Sequence, residues 1–234
     1  MIDFYALTSP NVQKVFLMLE ETGLKYRVIP VDVWAGKQFD PEFKKLNPNA
    51  KIPVIVDSEG PHGQPYSVFE SGAILLYLAE KTGKFLPADK AAHYDTIQWL
   101  MWQMASVGPM FGQCVHFTRF APEGNDYAAG RYRTEVRRLY HVMDERLGRF
   151  QYLGSNDYSI ADMATFPWAR NYDLLGVPRD QYSNVARWVD AIATRPATKR
   201  MLEEIQKLQP KSSRDTATDD NKDRFFGRGK YAMA

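Results

Sequence analysis

The stretch that decides the fold reads NAKIPVIVD over residues 49–57. Its β-branched, apolar run from Ile52 to Val56 predicts a strand. Pro53 comes near the start of that run, where a missing N–H costs the sheet least. An X-Pro bond at this point can be cis, which would turn the backbone and leave N–H and C=O groups facing outward. We therefore predict a strand that offers an exposed edge.

A helix start follows this strand in the chain. After a turn rich in glycine and proline, a short strand over residues 66–68 leads into FESGAI over residues 69–74. Glu70 and Ser71 open a helix there, and Gly83 ends it. A serine hydroxyl, the N–H groups of a first turn and the positive end of the helix dipole favour a bound anion. The strand edge and the helix start together suit a short peptide that carries a carboxylate.

The composition is that of an ordinary globular protein. The chain has 234 residues, of which 44% are hydrophobic and 25% charged, with a net charge of +2. Neither charge sign is concentrated in one part of the chain, which argues against a nucleic-acid partner. There is no apolar run of about 18 residues and no apolar signal core, so we expect no membrane span and a cytoplasmic protein. The single cysteine excludes an internal disulfide.

The order of predicted elements divides the chain into three parts. Residues 1–87 alternate strands and helices in the order βαβ, α and ββα, which is the order of a thioredoxin-like domain. Residues 88–210 show long helical periods without strand alternation, which predicts an all-helical domain, with Gly108-Pro109 interrupting its first helix. Residues 211–234 are polar and mixed in charge, which favours a flexible tail, although Phe225-Phe226 and Tyr231 could dock on the body.

Lys51-Ile52-Pro53-Val54 followed by Phe69-Glu70-Ser71-Gly72-Ala73-Ile74 resembles the glutathione-binding half of glutathione transferases. The resemblance extends from residue 1 to about residue 208 and is strongest to the bacterial Nu class, a disulfide-reductase-like group. It implies an α/β thioredoxin-like N-terminal domain plus an all-α C-terminal domain, the cytosolic glutathione transferase fold. It also implies glutathione as cosubstrate, a homodimer and no metal.

The resemblance further implies which residues hold the γ-glutamyl and cysteinyl parts of glutathione. Glu70 would accept the ammonium of the γ-glutamyl group, and Ser71 would donate to its carboxylate. Ile52, before a cis Pro53, would offer its backbone N–H and C=O to the cysteinyl part, as in β-augmentation. Without the resemblance, a Glu and a Ser in a first helical turn are ordinary dipole and capping residues.

Three more residues come from the same family pattern. Gln38 would lie near the glycyl end of glutathione, and Lys51 would flank the site. Arg131 corresponds to an arginine that can reach a glutathione held by the other subunit of the dimer. On the residues alone, the basic side chains of this helix more often form a solvated face.

The loop Thr8-Ser9-Pro10-Asn11 would carry the chemistry. A redox Cys-x-x-Cys would occupy this position in a thioredoxin-like fold, but this loop holds no cysteine. Hydroxyl or amide donors at the start of a helix can stabilise the thiolate of a bound thiol. The Nu-like pattern implies Ser9 and Asn11 as those donors, with Thr8 a lesser candidate. Capping of the helix is the competing interpretation, and Tyr5 is a further candidate that strand alternation could turn into the core.

Other conspicuous residues have structural explanations. Ser159-Ile160-Ala161-Asp162 matches a capping box and predicts a helix start. Cys114 is expected to be a core thiol, and the four histidines lack metal-ligand spacing.

Three functions stay open from the sequence. The leading hypothesis is a glutathione-dependent disulfide reductase in which glutathione supplies the reacting sulfurs. The alternatives are conjugation of glutathione to an apolar electrophile and a non-catalytic, glutathione-binding regulatory module, because a fold does not fix a function.

Overall fold

The structure is a computed structural model that describes residues 1–232. It contains two compact units. The first unit comprises Met1–Tyr77 together with the chain from Lys199 onward, and the second comprises Leu78–Thr198. This division differs from the boundaries predicted at residues 87 and 210, because the division falls inside two helices and the C-terminal residues pack on the first unit. Both predicted classes of architecture, a mixed α/β domain and an all-helical domain, are confirmed.

A four-stranded mixed sheet forms the centre of the first unit. Its strands are β1 (Ile2–Ala6), β2 (Tyr26–Pro30), β3 (Val54–Asp57) and β4 (Tyr66–Phe69). They lie in the order β2-β1-β3-β4. β1 runs parallel to β2 and antiparallel to β3, and β3 runs antiparallel to β4. The strand predicted from Ile52 begins only at Val54, after the proline.

The helical structure predicted over residues 88–210 is present, and a further helix lies in the segment for which a flexible tail was favoured. In chain order the helices are α1 (Pro10–Thr22), α2 (Pro41–Leu46), α3 (Ser71–Thr82), α4 (Lys90–Trp102), α5 (Gly108–Arg119), α6 (Asp126–Leu147), α7 (Ile160–Ala169), α8 (Tyr172–Leu175), α9 (Ser183–Ala193), α10 (Pro196–Leu208) and α11 (Asp219–Phe226). None of the described helices combines the length and the hydropathy that a bilayer span requires.

The alternation of side chains along β1 places α1 and α2 on opposite faces of the sheet. Phe4 is fully buried and meets Phe16 of α1 edge-on, with 4.8 Å between ring centroids. Its neighbour Tyr5 points to the other face and meets Phe43 of α2, with 6.0 Å between centroids. Because successive side chains of a strand alternate between faces, one strand serves two cores. Tyr5 is therefore a packing residue of the α2 face.

In the second unit, the predicted interruption at Gly108-Pro109 takes the form of a π-helical turn. The turn covers Gln103–Val107 and separates α4 from α5. Proline cannot donate the N–H that a continuous helix needs, and a wider turn accommodates the mismatch. The position of the break was thus predicted from the sequence, and its form was not.

A buried carboxylate organises the start of α7. The capping box predicted from Ser159 and Asp162 is present. Asp162 is fully buried and accepts hydrogen bonds from the backbone N–H groups of Leu153 and Ser159, at 2.8 and 3.0 Å. The Ser159 hydroxyl donates to it at 2.9 Å, and the Trp188 indole N–H of α9 donates at 2.8 Å. One side chain therefore joins α7, α9 and the loop before α7.

The C-terminal segment, residues 211–232 of the tail predicted over 211–234, contains helical turns and docks through its aromatic residues, which the sequence analysis raised, in contrast to the flexibility that its polar composition favours. Residues 233–234 lie outside the described part of the chain. Thr218 forms a capping box with Asn221 at the start of α11, and Gly227 ends this helix in a left-handed conformation. Phe225 stacks on Trp34 with 4.4 Å between ring centroids. These local capping signals and one aromatic contact outweigh the polar composition of the segment.

Candidate functional site

The start of α1 carries the candidate donors Thr8, Ser9 and Asn11. Ser9 is the N-cap residue, and its Oγ accepts a hydrogen bond from the Val12 N–H at 3.3 Å. A hydroxyl that accepts one hydrogen bond still has its own O–H to donate. Ser9 and Asn11 are half-buried in the first turn, where the positive end of the helix dipole lies. Capping and thiolate stabilisation are thus compatible at Ser9.

Lys14 links α1 to the start of α3. Its Nζ donates to the Ser71 Oγ at 3.3 Å, and its side chain has no solvent exposure. Asn11 precedes Lys14 by three residues, so the two lie on one side of the helix, about 4.5 Å apart along its axis. The predicted thiolate donors and the predicted γ-glutamyl contacts therefore meet in one region of the first unit.

Glu70 adopts an uncommon backbone conformation directly before α3. Its φ is 68°, in the left-handed region that few residues other than glycine enter. The Asn49 amide donates to its Oε1 at 3.4 Å, and the side chain remains exposed. Such a conformation costs on the order of 1 kcal/mol or more, and it occurs preferentially at binding sites. It directs an exposed carboxylate to the place where the α3 helix dipole begins.

The backbone around Pro53 connects this helix start to the α2 face. The Ile52–Pro53 peptide bond is cis, as expected from the sequence. Ile52 is half-buried and packs against a cluster that includes Val31, Phe43 and Val54. The Lys51 side chain is exposed, and its carbonyl accepts a hydrogen bond from the Asn47 amide at 2.7 Å.

The two remaining predicted residues lie in different units. Gln38 is 4% exposed in the loop before α2, and its Oε1 is buried without a hydrogen-bond partner among the described residues. Arg131 lies on α6 of the second unit, where its guanidinium pairs with Glu135 at 3.3 Å.

Comparison with known protein families gives two matches. The family described as "Glutathione S-transferase, N-terminal domain" matches residues 8–81, and the one described as "Glutathione S-transferase, C-terminal domain" matches residues 126–191. The chain is 48% identical over 207 residues to an Escherichia coli K12 protein named disulfide-bond oxidoreductase YfcG. That match covers 88% of this chain and 96% of the relative. The chain belongs to the glutathione S-transferase family.

Solved structures of other glutathione transferases resemble this one. One, from Burkholderia graminis, is described with two glutathione molecules bound per subunit. The two chains are 45% identical and superpose with a TM-score of 0.80. The match covers 86% of this chain and 87% of the Burkholderia graminis chain. Another, from Pseudomonas putida, is described with one glutathione disulfide per subunit, at 45% identity and a TM-score of 0.81. That match covers 86% of this chain and 90% of the Pseudomonas putida chain. The predicted family and its fold are therefore confirmed.

Lys14 is a residue of the candidate site of this glutathione S-transferase that the sequence analysis missed. Burial lowers the pKa of its ammonium to about 7, and the Glu70 carboxylate opposes that shift. A partly charged amine thus lies beneath Ser71 near neutral pH. A signal was present in the sequence, since Lys14 stands within a run of α1 that is otherwise rich in apolar residues.

The only cysteine of this glutathione S-transferase is not part of the site. Cys114 lies on α5 and is 1% exposed, and burial raises the pKa of its thiol. A buried thiol with a raised pKa is a poor nucleophile. Within residues 1–232, His, Cys, Asp and Glu side chains form no group of three suited to a metal ion.

Proposed function

We propose that this protein reduces disulfides with glutathione as the electron donor. The observation that carries the proposal is the start of α1. It presents a hydroxyl and an amide where a thioredoxin-like oxidoreductase needs cysteine, while the only cysteine of the chain is buried. The reacting sulfurs must then come from glutathione. The oxidoreductase name of the Escherichia coli relative supports this reading, as does the glutathione disulfide bound to the Pseudomonas putida protein.

Bound glutathione is oriented by its two ends and its middle. Glu70 accepts the γ-glutamyl ammonium, and Ser71 donates to the neighbouring carboxylate at the α3 helix start. Ile52 pairs its backbone with the cysteinyl residue as an added strand would. The glycyl end lies toward Gln38, with Lys51 at the rim. This orientation puts the glutathione sulfur at the start of α1.

The reaction proceeds by two exchanges. Ser9 and Asn11 donate to the glutathione sulfur, which lowers its pKa and raises the fraction of thiolate. The thiolate attacks one sulfur of the substrate disulfide, forms a mixed disulfide and releases the other sulfur as a thiol after it takes up a proton. A second glutathione thiolate attacks the glutathione sulfur of the mixed disulfide. The products are glutathione disulfide and two thiols from the substrate.

Two further parts of the proposal concern the setting of the enzyme. We infer a homodimer, in which Arg131 of one subunit reaches the glutathione of the other. The charge of this arginine suits a carboxylate of the tripeptide. We also infer a cytoplasmic protein, where glutathione is abundant and reduced.

Glu70→Gln should weaken glutathione binding about 10- to 100-fold. The substitution keeps the shape and the left-handed backbone but removes the charge that accepts the ligand ammonium. A hydrogen bond between charged groups contributes about 1.5–3 kcal/mol. Titration calorimetry with glutathione measures the change. Glu80→Gln, which changes an exposed glutamate of α3, is the matched control and should leave the affinity unchanged. Equal affinities of Glu70→Gln and the parent would refute the γ-glutamyl assignment.

Asn11→Ala should slow disulfide reduction roughly 10-fold. Loss of one donor to an anion in a dry site lowers the rate ~10²-fold or more. Asn11 is only half-buried, so we expect a smaller decrease in rate. The ultraviolet absorbance of thiolate, measured at several pH values, should show a higher pKa for bound glutathione in this variant. Cys114→Ser should retain the parent activity, because the mechanism needs no protein sulfur.

The same assays separate this reaction from its competitors. A model disulfide and an aryl halide are compared as second substrates, and the disulfide should be preferred. If the parent protein only conjugates the aryl halide, or if Cys114→Ser abolishes reduction, the mechanism is wrong. Glutathione that binds without any fall in its thiol pKa would favour a non-catalytic binding module.

A further inference from the structure

The C-terminal segment docks on the loop that carries Gln38. The Ser213 N–H donates to Asp32 Oδ2 at 3.1 Å, which fixes the beginning of the segment. Near its other end, Phe225 stacks on Trp34 with 24° between the ring planes, and Phe226 meets the same ring edge-on at 6.1 Å. Aromatic pairs at these distances and angles stabilise the contact beyond the area that they bury. The loop before α2 is therefore held by residues almost 200 positions away in sequence.

Arg224 lies across the same loop on both sides of Gln38. Its guanidinium is 5.1 Å from the Phe39 ring centroid and packs directly over Gly36. A Cβ at Gly36 would come within 2.8 Å of the Arg224 Nη1, and its φ of 80° also favours glycine. The guanidinium thus lies directly against the Gly36 backbone.

The charge of Arg224 is not neutralised by a close ion pair in the described part of the chain. Neighbouring basic residues of the segment do have partners: Lys222 pairs with Asp219, Arg228 with Asp223 and Lys230 with Asp220. Arg224 instead stacks on an aromatic face and a glycine beside Gln38. The Gln38 Oε1 is buried there without a donor from residues 1–232. The cation contacts residues on both sides of Gln38 in the sequence, Gly36 and Phe39.

We propose that the C-terminal segment completes the glutathione site and that Arg224 binds the glycyl carboxylate. This inference rests on the proposed function, which directs the glycyl end toward Gln38. The glycyl end of glutathione carries one amide N–H and one carboxylate. The N–H is a donor that suits the Gln38 Oε1, and the carboxylate is an acceptor that suits the Arg224 guanidinium. Arginine can hold a carboxylate through two parallel hydrogen bonds. The segment is thereby a specificity element that distinguishes glutathione from γ-glutamyl thiols without glycine.

Two ligands and four proteins test this inference. The ligands are glutathione and γ-glutamylcysteine, which lacks the glycyl residue, and their Kd values are measured by calorimetry. Arg224→Gln should weaken glutathione about 10-fold, the lower end of the range for charged hydrogen bonds because the site is exposed, and should leave γ-glutamylcysteine within about 2-fold. Phe225→Ala, which keeps the charge but removes the contact with Trp34, should weaken glutathione selectively as well. Lys222→Gln makes the same charge change on the same helix and should alter neither Kd.

The possible results separate the two proposals. If Arg224→Gln leaves glutathione affinity unchanged, or weakens both ligands equally, the glycyl assignment is overturned while the proposed function stands. If the parent protein binds neither ligand, the proposed function fails and the inference fails with it. If Arg224→Gln loses affinity for glutathione but not for γ-glutamylcysteine, and if this loss of affinity is larger at low salt, the result supports a carboxylate–guanidinium contact.

Discussion

Replacing Asp162 by alanine is expected to lower the free energy of unfolding by about 3–5 kcal/mol. Two backbone N–H groups, one hydroxyl and one indole N–H would lose their acceptor at a fully buried position. Each buried donor without a partner costs about 1–3 kcal/mol, and the costs are partly shared because the loop can relax. The carboxylate is therefore an important contributor to the stability of the second unit.

Urea unfolding followed by circular dichroism measures this effect. Asp173→Ala is the matched control, since Asp173 is an exposed acid of α8 in the same unit and should change stability by less than about 0.5 kcal/mol. A loss below about 1 kcal/mol in Asp162→Ala would mean that the four donors find other partners. Glutathione affinity does not test this prediction, because unfolding alone abolishes binding whatever its cause.

Lys14→Met is expected to stabilise the protein and to weaken glutathione binding. The pKa of Lys14 falls from 10.5 to about 7 on folding. Below pH 7 the amine is charged in both states, and the folded state carries the full cost of burying that charge. Between pH 7 and pH 10.5 the unfolded chain binds more protons than the folded one, so wild-type stability rises with pH in this window. A methionine of similar length removes the buried charge.

The gain in stability from Lys14→Met should therefore depend on pH. One unit of pKa corresponds to 1.36 kcal/mol, and about three such units lie between pH 7 and pH 10, so the gain should be about 4 kcal/mol larger at pH 6 than at pH 10. Urea unfolding at both pH values tests the sign and the size. A gain that does not change with pH would show that Lys14 has an ordinary pKa. Lys81→Met, an exposed change on α3, is the control and should show no such dependence.

Binding should change in the opposite direction to stability. The Lys14 ammonium donates to the Ser71 Oγ, which leaves the serine O–H to donate to a ligand carboxylate. Its charge also favours an anion at this helix start. Loss of affinity in a variant that is more stable would identify Lys14 as a residue kept for binding at the expense of stability.

Local patterns predicted most of the fold. The β-branched run before Asp57 and the glycines that end α1 and α3 act over short distances, so the elements follow from the sequence within a few residues. The capping box of Ser159 and Asp162 is equally local. The start of β3 was predicted two residues early, because a sheet partner is needed to show where pairing begins.

Long-range packing accounts for what the sequence did not predict. The apolar neighbours of Lys14 in α1 indicate burial, but its contact with Ser71 depends on the packing of α3 against α1. The left-handed φ of Glu70 depends on the turn that joins β4 to α3. The sequence raised docking of Phe225 as an alternative to a flexible tail, but it did not identify Trp34 at the other end of the first unit as the partner. Tertiary contacts override local propensity in each case.

The start of α1 without a thiol has a consequence for how such an enzyme stores electrons. An oxidoreductase with two cysteines alternates between a reduced and an oxidised protein, and the oxidised protein must be reduced before the next turnover. With a hydroxyl and an amide in their place, this protein retains no redox equivalent once its products leave. The direction of exchange is then set by the ratio of glutathione to glutathione disulfide in the surroundings. The candidate site also has no cysteine thiol that peroxides could oxidise or that alkylating reagents could modify.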